Sequence, residues 1–218
     1  SMKGRYSGLS IFSSHIKCGE CGGWYGSKVW HSTDKYRRVI WQCNHKYVDK
    51  TRHCTTPHLD EAQIKELFVK ALNAFSGDRD EVIANVTAEM ERLTDTAVLE
   101  EQKRTLSEEM NVVAEMINDA VAENARVALD QEEYQKRYDA LVARYDAAEA
   151  RLNEVAGQIE KHSARYKEME HFVKTLKALP ETVTEFSDGA WGALVDYMTV
   201  YSEKDIRLTF RSGMEVRI

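Results

Sequence analysis

Residues 79–179 contain no proline and a single glycine, Gly157. Proline deletes a helical N–H and clashes with the preceding turn, and glycine costs backbone entropy, so a run of this length free of both points to long helices. In its second half Tyr134, Tyr138, Leu141, Tyr145, Ala148, Leu152, Val155, Ile159, His162, Tyr166, Met169, Val173 and Leu176 recur in alternating steps of four and three. That repeat is the signature of a coiled-coil seam, with His162 as a polar residue that can fix register. Asp130 with Glu133 predicts the cap at its start, and Pro180 the stop. The first half is less regular. Val86, Met90, Leu93 and Ala97 follow one register, and Leu106, Met110, Val113, Ile117 and Ala120 another, offset by one residue. This predicts a discontinuity near residues 98–104. Two arms of matching length, each about 70 Å long at 1.5 Å per residue, joined near residues 126–129, predict an antiparallel hairpin.

The flanks have a different chemistry. Residues 1–58 hold ten Lys/Arg against three acids, a net +7, whereas the remaining residues hold 20 basic and 33 acidic groups, a net −13. A basic head on an acidic body suggests a polyanion partner for the head alone, against the plainer reading of a solvated basic surface. No apolar run approaches the roughly 18 residues that span a bilayer, and no secretory pattern opens the chain, which predicts a cytoplasmic protein without a membrane partner.

All four cysteines, Cys18, Cys21, Cys43 and Cys54, lie in the basic head. In a reducing compartment such clustering favours a metal over disulfides. Cys18-Gly19-Glu20-Cys21-Gly22-Gly23 has the two-residue spacing that lets two thiolates grip one tetrahedral ion while glycines turn the knuckle. Cys43 and Cys54 are ten residues apart, which departs from a second tight knuckle and leaves His45 and His53 as possible replacements for a cysteine. Four protein ligands make a closed site, so the predicted cofactor is a structural zinc. Short β-prone pieces around Trp24-Tyr25 and residues 38–41 predict a hairpin closed by cysteines at both ends. Lys28, Lys35, Tyr36, Arg37 and Arg38 on it are candidate DNA contacts, since a two-stranded ribbon fits the major groove. Trp24 and Trp41 read as core of the small metal domain.

After Pro57, Asp60 and Gln63 form a capping box for a helix whose Ile64, Leu67, Phe68, Ala71, Leu72 and Phe75 make one apolar face. Near the C-terminus a short helix runs through Trp191 to Val195. Ile206, Leu208 and Phe210, then Met214, Val216 and Ile218, alternate with polar residues as in a β-hairpin. The predicted class is α+β: a small zinc β-ribbon head with a short helix and a C-terminal β-hairpin, interrupted by a long antiparallel two-helix coiled coil. The corresponding segments are a linker at 1–15, ribbon and packing helix at 16–77, inserted coiled coil at 78–179, and the completing helix and hairpin at 180–218. No phosphate loop, paired catalytic carboxylates or nucleophile–base set is discernible, and the chain alone is not read as an enzyme.

Taken together, Cys-Gly-Glu-Cys-Gly, the stretch ending Trp41-Gln42-Cys43, Cys54 with Pro57-His58-Leu59, residues 129–145, and the closing segments 191–201 and 210–216 resemble the C-terminal region of large serine recombinases, the phage integrases and transposon recombinases. The resemblance implies a DNA-binding zinc domain that follows a catalytic serine domain and a recombinase domain, so no serine here takes the nucleophile role. It implies that the ribbon reads the outer part of a double-stranded attachment site, with Arg5 and Tyr6 of the linker along the minor groove. It also implies that the coiled-coil tip, residues 117–131 with Ile117, Val121, Val127 and Leu129, meets other recombinase subunits or a directionality factor. Two other readings stay open: a stand-alone DNA-binding regulator with a parallel coil as dimer handle, and a zinc-stabilised coiled-coil scaffold that binds only protein.

Overall fold

A computed structural model describes residues 10–31, 33, 35–46 and 54–218. In chain order the elements are β1 (Ile16–Cys18), β2 (Tyr25–Trp30), β3 (Arg38–Cys43), β4 (Leu59–Asp60), α1 (Glu61–Ala74), a 3-10 turn at Ser76–Asp78, α2 (Arg79–Thr94), α3 (Ala97–Arg126), α4 (Gln131–Ala178), α5 (Asp188–Leu194), β5 (Val195–Ser202), β6 (Asp205–Phe210) and β7 (Glu215–Arg217). They fall into two units, Ser1–Ala88 with Glu168–Ile218, and Glu89–Lys167.

The first unit holds two sheets. β2 and β3 form an antiparallel hairpin in unbroken register from Tyr25↔Cys43 to Trp30↔Arg38. β4 adds to β3 through Ile40↔Asp60 and Trp41↔Leu59. The second sheet has the order β1-β5-β6-β7. The hairpin expected between β6 and β7 is present, with Leu208 opposite Val216. Strand β5 was not anticipated, because register shifts between Val195 and Tyr197 and again near Ser202 disturb the period-two pattern a half-buried strand would show. It pairs in parallel with β1, Ile16 facing Met198 across the ladder.

Between the sheets and helices lies an aromatic core. Phe12 meets Trp41 and Trp191 edge-on, with centroids 6.0 and 5.0 Å apart, and Phe68 meets Trp191 at 5.4 Å. Such T-shaped pairs set the positive ring edge against the negative face. Trp191 also donates its indole N–H to the Ile11 carbonyl. Phe12, near the end of the segment 1–15 expected as a linker, is buried among these rings. The core assignment holds for Trp41 and fails for Trp24, which is 40% exposed and lies beside the Lys17 ammonium.

Helix α1 starts with the expected capping box, Asp60 accepting from Gln63 N–H while the Gln63 side chain accepts from Asp60 N–H. It buries Ile64, Phe68, Ala71 and Leu72. At its far end Asn73 clamps Val183, donating to its carbonyl at 2.8 Å and accepting from its N–H at 2.9 Å. Arg79 donates to the Leu179 and Pro180 carbonyls, both at 2.9 Å. These two side chains satisfy backbone groups that the end of α4 and the following bend would otherwise leave without partners.

The second unit is an antiparallel helical hairpin. Val113, Ala120 and Leu141 make its buried cluster, with Ile117, Tyr134 and Tyr145 packed around them. Arg137 pairs with Glu123 and Arg144 with Glu109 across the two arms, fixing their opposite directions. The coil is thus intramolecular, not the parallel dimer handle of the regulator reading. Asp130 caps α4, its Oδ1 accepting from the N–H groups of Glu132 and Glu133. Every α4 seam residue from Tyr134 to Tyr166 is buried or half-buried. The break in the first arm falls at residues 95–96, slightly earlier than the register offset implied. Thr94-Asp95-Thr96 offers side-chain oxygens that compete for backbone groups, and the Thr94 hydroxyl donates to the Glu91 carbonyl.

Candidate metal centre and nucleic-acid interface

The four thiols gather at the base of the β2–β3 hairpin, so they close one end of it and not both. Their ligand atoms all lie within 4.8 Å of one another. Cys21 Sγ is 3.5 Å from Cys43 Sγ, and Cys43 Sγ is 3.8 Å from Cys54 Sγ. A tetrahedral zinc with bonds of about 2.3 Å requires sulfurs about 3.8 Å apart, so the spacing fits. The ten-residue separation of Cys43 and Cys54 is bridged by tertiary folding. His45 lies outside the four-sulfur set, and His53 falls outside the described residues.

Local structure turns backbone donors toward two of the sulfurs. Gly22 takes a φ of 70°, a left-handed conformation that lets the first knuckle turn. The Gly23 N–H then points at Cys21 Sγ and the His45 N–H at Cys43 Sγ, each at 3.4 Å. Burial opposes ionisation of Cys18, yet the Thr56 hydroxyl and the amides of Cys21 and Glu20 outweigh it and hold this thiol at about 7. Burial pushes Cys43 up to about 11 and raises Cys54 as well, with the neighbouring thiols adding to both. Burial and neighbouring sulfurs thus favour the neutral thiols of Cys43 and Cys54, and a divalent ion ligated on four sides would offset the charge that their deprotonation brings.

Several supporting residues escaped the sequence reading. Thr56, buried and within 3.4 Å of Cys18 Sγ, is one. Glu20 is another: its carboxylate accepts from the Thr55 N–H at 2.7 Å and from the Thr55 hydroxyl, joining the first knuckle to the segment after Cys54. Tyr25 donates its hydroxyl to the Pro57 carbonyl at 2.8 Å, and burial raises that phenol. Only the position of Thr55 and Thr56 directly after a ligand hinted at such roles.

Toward the other end of the hairpin, Lys28, Lys35, Tyr36, Arg37 and Arg38 are all exposed. The Arg38 guanidinium lies over the Trp30 ring at 5.2 Å, and His58 packs on the same indole at 4.8 Å. Lys35 approaches the Tyr36 ring at 5.1 Å. Arg5 and Tyr6 fall outside the described residues. In the helical hairpin Ile117 is half-buried against the α3–α4 cluster, Leu129 is half-buried, and Val121 and Val127 are exposed. Among the described residues no helix is long and apolar enough to cross a membrane.

A β-hairpin with four thiols at its base defines the class: a zinc ribbon with a closed, structural metal site. Residues 11–73 match the recombinase zinc beta ribbon domain, which supports the resemblance to the C-terminal region of a large serine recombinase; the chain carries a ribbon of that kind. A solved structure described as a crystal structure of an LSR–DNA complex is similar at 13% identity and a TM-score of 0.36, over 94% of this chain and 56% of that one. This chain thus spans about half the length of that relative. No curated protein matches.

Proposed function

We propose that this chain is the DNA-binding and subunit-contacting portion of a site-specific large serine recombinase. The observation that carries the reading is the β2–β3 hairpin, anchored at its base by the four thiols and exposing Lys28, Lys35, Tyr36, Arg37 and Arg38. A rigid ribbon of this kind presents cations to a groove without paying the ordering cost of a loop. In this reading Arg37 and Arg38 reach phosphates or base edges, Lys28 and Lys35 add phosphate contacts, and Arg5 follows the minor groove. The zinc holds the ribbon's shape and takes no part in strand chemistry, and no residue of this portion serves as nucleophile. Residues 78–179 act as an inserted arm whose tip, around Ile117, Val121, Val127 and Leu129, meets other recombinase subunits or a directionality factor. The protein works in the cytoplasm on double-stranded attachment sites.

The test is selection of bound duplexes from a random library at two salt concentrations with zinc retained. Each neutralised phosphate contributes about 0.9 to the slope of log affinity against log salt. Four side chains give a slope of about −3.6, or roughly 150-fold weaker binding between 50 and 200 mM salt. The R37A/R38A variant is expected to halve that slope and to lose the selected motif. Recovery of unpatterned DNA, or of none, would leave a protein-binding scaffold and sink the proposal.

A further inference from the structure

His45 stands beside the metal site without belonging to its four-thiol set. Its Nδ1 lies 3.6 Å from Cys21 Sγ. Its own N–H donates to the sulfur of the neighbouring ligand Cys43, and the Lys46 N–H closes the turn onto the Cys43 carbonyl at 3.2 Å. The imidazole is therefore tethered to the site through the backbone. Gly23 leaves the space it fills: a Cβ there would come within 2.7 Å of His45 Nδ1 and 2.8 Å of Cε1.

The four thiols differ in access. Cys18, Cys43 and Cys54 are buried, and Cys21 is exposed. Alkylation and oxidation select exposed thiolates, so Cys21 is the ligand most open to loss. Among the described residues, it is also the ligand with an imidazole at its side. Zinc accepts a histidine nitrogen at about 2.0–2.1 Å as readily as a thiolate, and three cysteines with one histidine are an ordinary structural set. We infer that His45 is a reserve zinc ligand, which takes the Cys21 position when that thiol is lost and so keeps the ion in the ribbon. The inference rests on the zinc site described above. The exchanged site carries one negative charge fewer and stays closed, so the hairpin keeps its anchor through damage to its outermost ligand.

Cobalt(II) is the probe, since its visible and thiolate charge-transfer bands report geometry and donor set. The full chain is expected to bind it tetrahedrally. C21A is expected to keep tetrahedral bands with thiolate intensity down by about a quarter, one ligand of four being replaced. C21A/H45A is expected to bind cobalt at least tenfold more weakly than C21A. An independent measurement avoids the cysteine substitution. The zinc-loaded wild-type and H45A chains are treated with a single equivalent of iodoacetamide; the Cys21 thiolate displaces iodide and forms a carbon–sulfur bond. Native mass spectrometry then counts zinc in the singly alkylated species. Retention in the wild type with loss in H45A supports the reserve role. Equal retention or equal loss in the two chains overturns it, as does equal cobalt affinity of C21A and C21A/H45A, while the four-thiol site itself stands. A wild-type chain that binds no cobalt overturns both.

Discussion

Replacing Phe12 by alanine tests the least expected part of the core. The ring is 2% exposed and meets Trp41 from the ribbon, Phe186, and Trp191 from α5. Its loss opens a cavity among the rings of Trp41, Phe186 and Trp191. Phe-to-Ala changes in such settings cost about 3–5 kcal/mol, the aromatic pairs accounting for part of that. With a urea dependence near 2 kcal/mol per molar, the unfolding midpoint is expected to fall by about 2 M. Phe12→Leu retains most of the volume and loses only the ring edges, so a decrease of about 1–2 kcal/mol is expected. Tryptophan emission is the assay of choice. All four tryptophans, Trp24, Trp30, Trp41 and Trp191, lie in the first unit, so the signal follows that unit and not the helical hairpin. Zinc is held in excess throughout to keep the metal's contribution constant. A midpoint shift below about 0.5 M for Phe12→Ala, worth roughly 1 kcal/mol, would show that the segment is a tether and refute its place in the core.

Asn73→Ala strands the Val183 N–H and carbonyl, and a cost of about 2–4 kcal/mol in the same melt is expected, since each orphaned buried group costs about 1–3 kcal/mol; an unchanged midpoint would mean water replaces the clamp. Chelation of the metal is expected to abolish the near-ultraviolet signal of the buried tryptophans while most far-ultraviolet helicity survives in Glu89–Lys167; coincident loss of both signals would argue that the units do not unfold separately. Glu20 is held below its ordinary carboxyl value by the hydrogen bonds from Thr55. A depressed folded value means the clip's contribution is present above the ordinary range and lost as pH falls through the folded value. Carboxyl NMR titration is expected to show Glu20 titrating below the ordinary glutamate range, and a T55V variant to move it back toward that range.

Much of this protein is written in short-range pattern. The α4 seam from Tyr134, the Asp130 cap, the Asp60–Gln63 box, the hairpin β2–β3 and the first cysteine knuckle all depend on residues within a few positions of one another, where backbone geometry and side-chain period leave few options. The basic head was legible from charge alone, and the family resemblance from the order of the parts. What tertiary structure decided is what distant residues must agree upon. Cys54 reaches Cys43 only because the folded chain returns to the hairpin base, and Glu20 meets Thr55 by the same return. Strand β5 hides behind its own bulge and gains its place by pairing with β1, Ile16 to Met198. Phe12 and Trp24, both aromatic and both near the cysteines, end on opposite sides of the burial boundary. Local sequence sets which residues prefer to leave water; only the packed neighbours determine which of them find a cavity of the right shape.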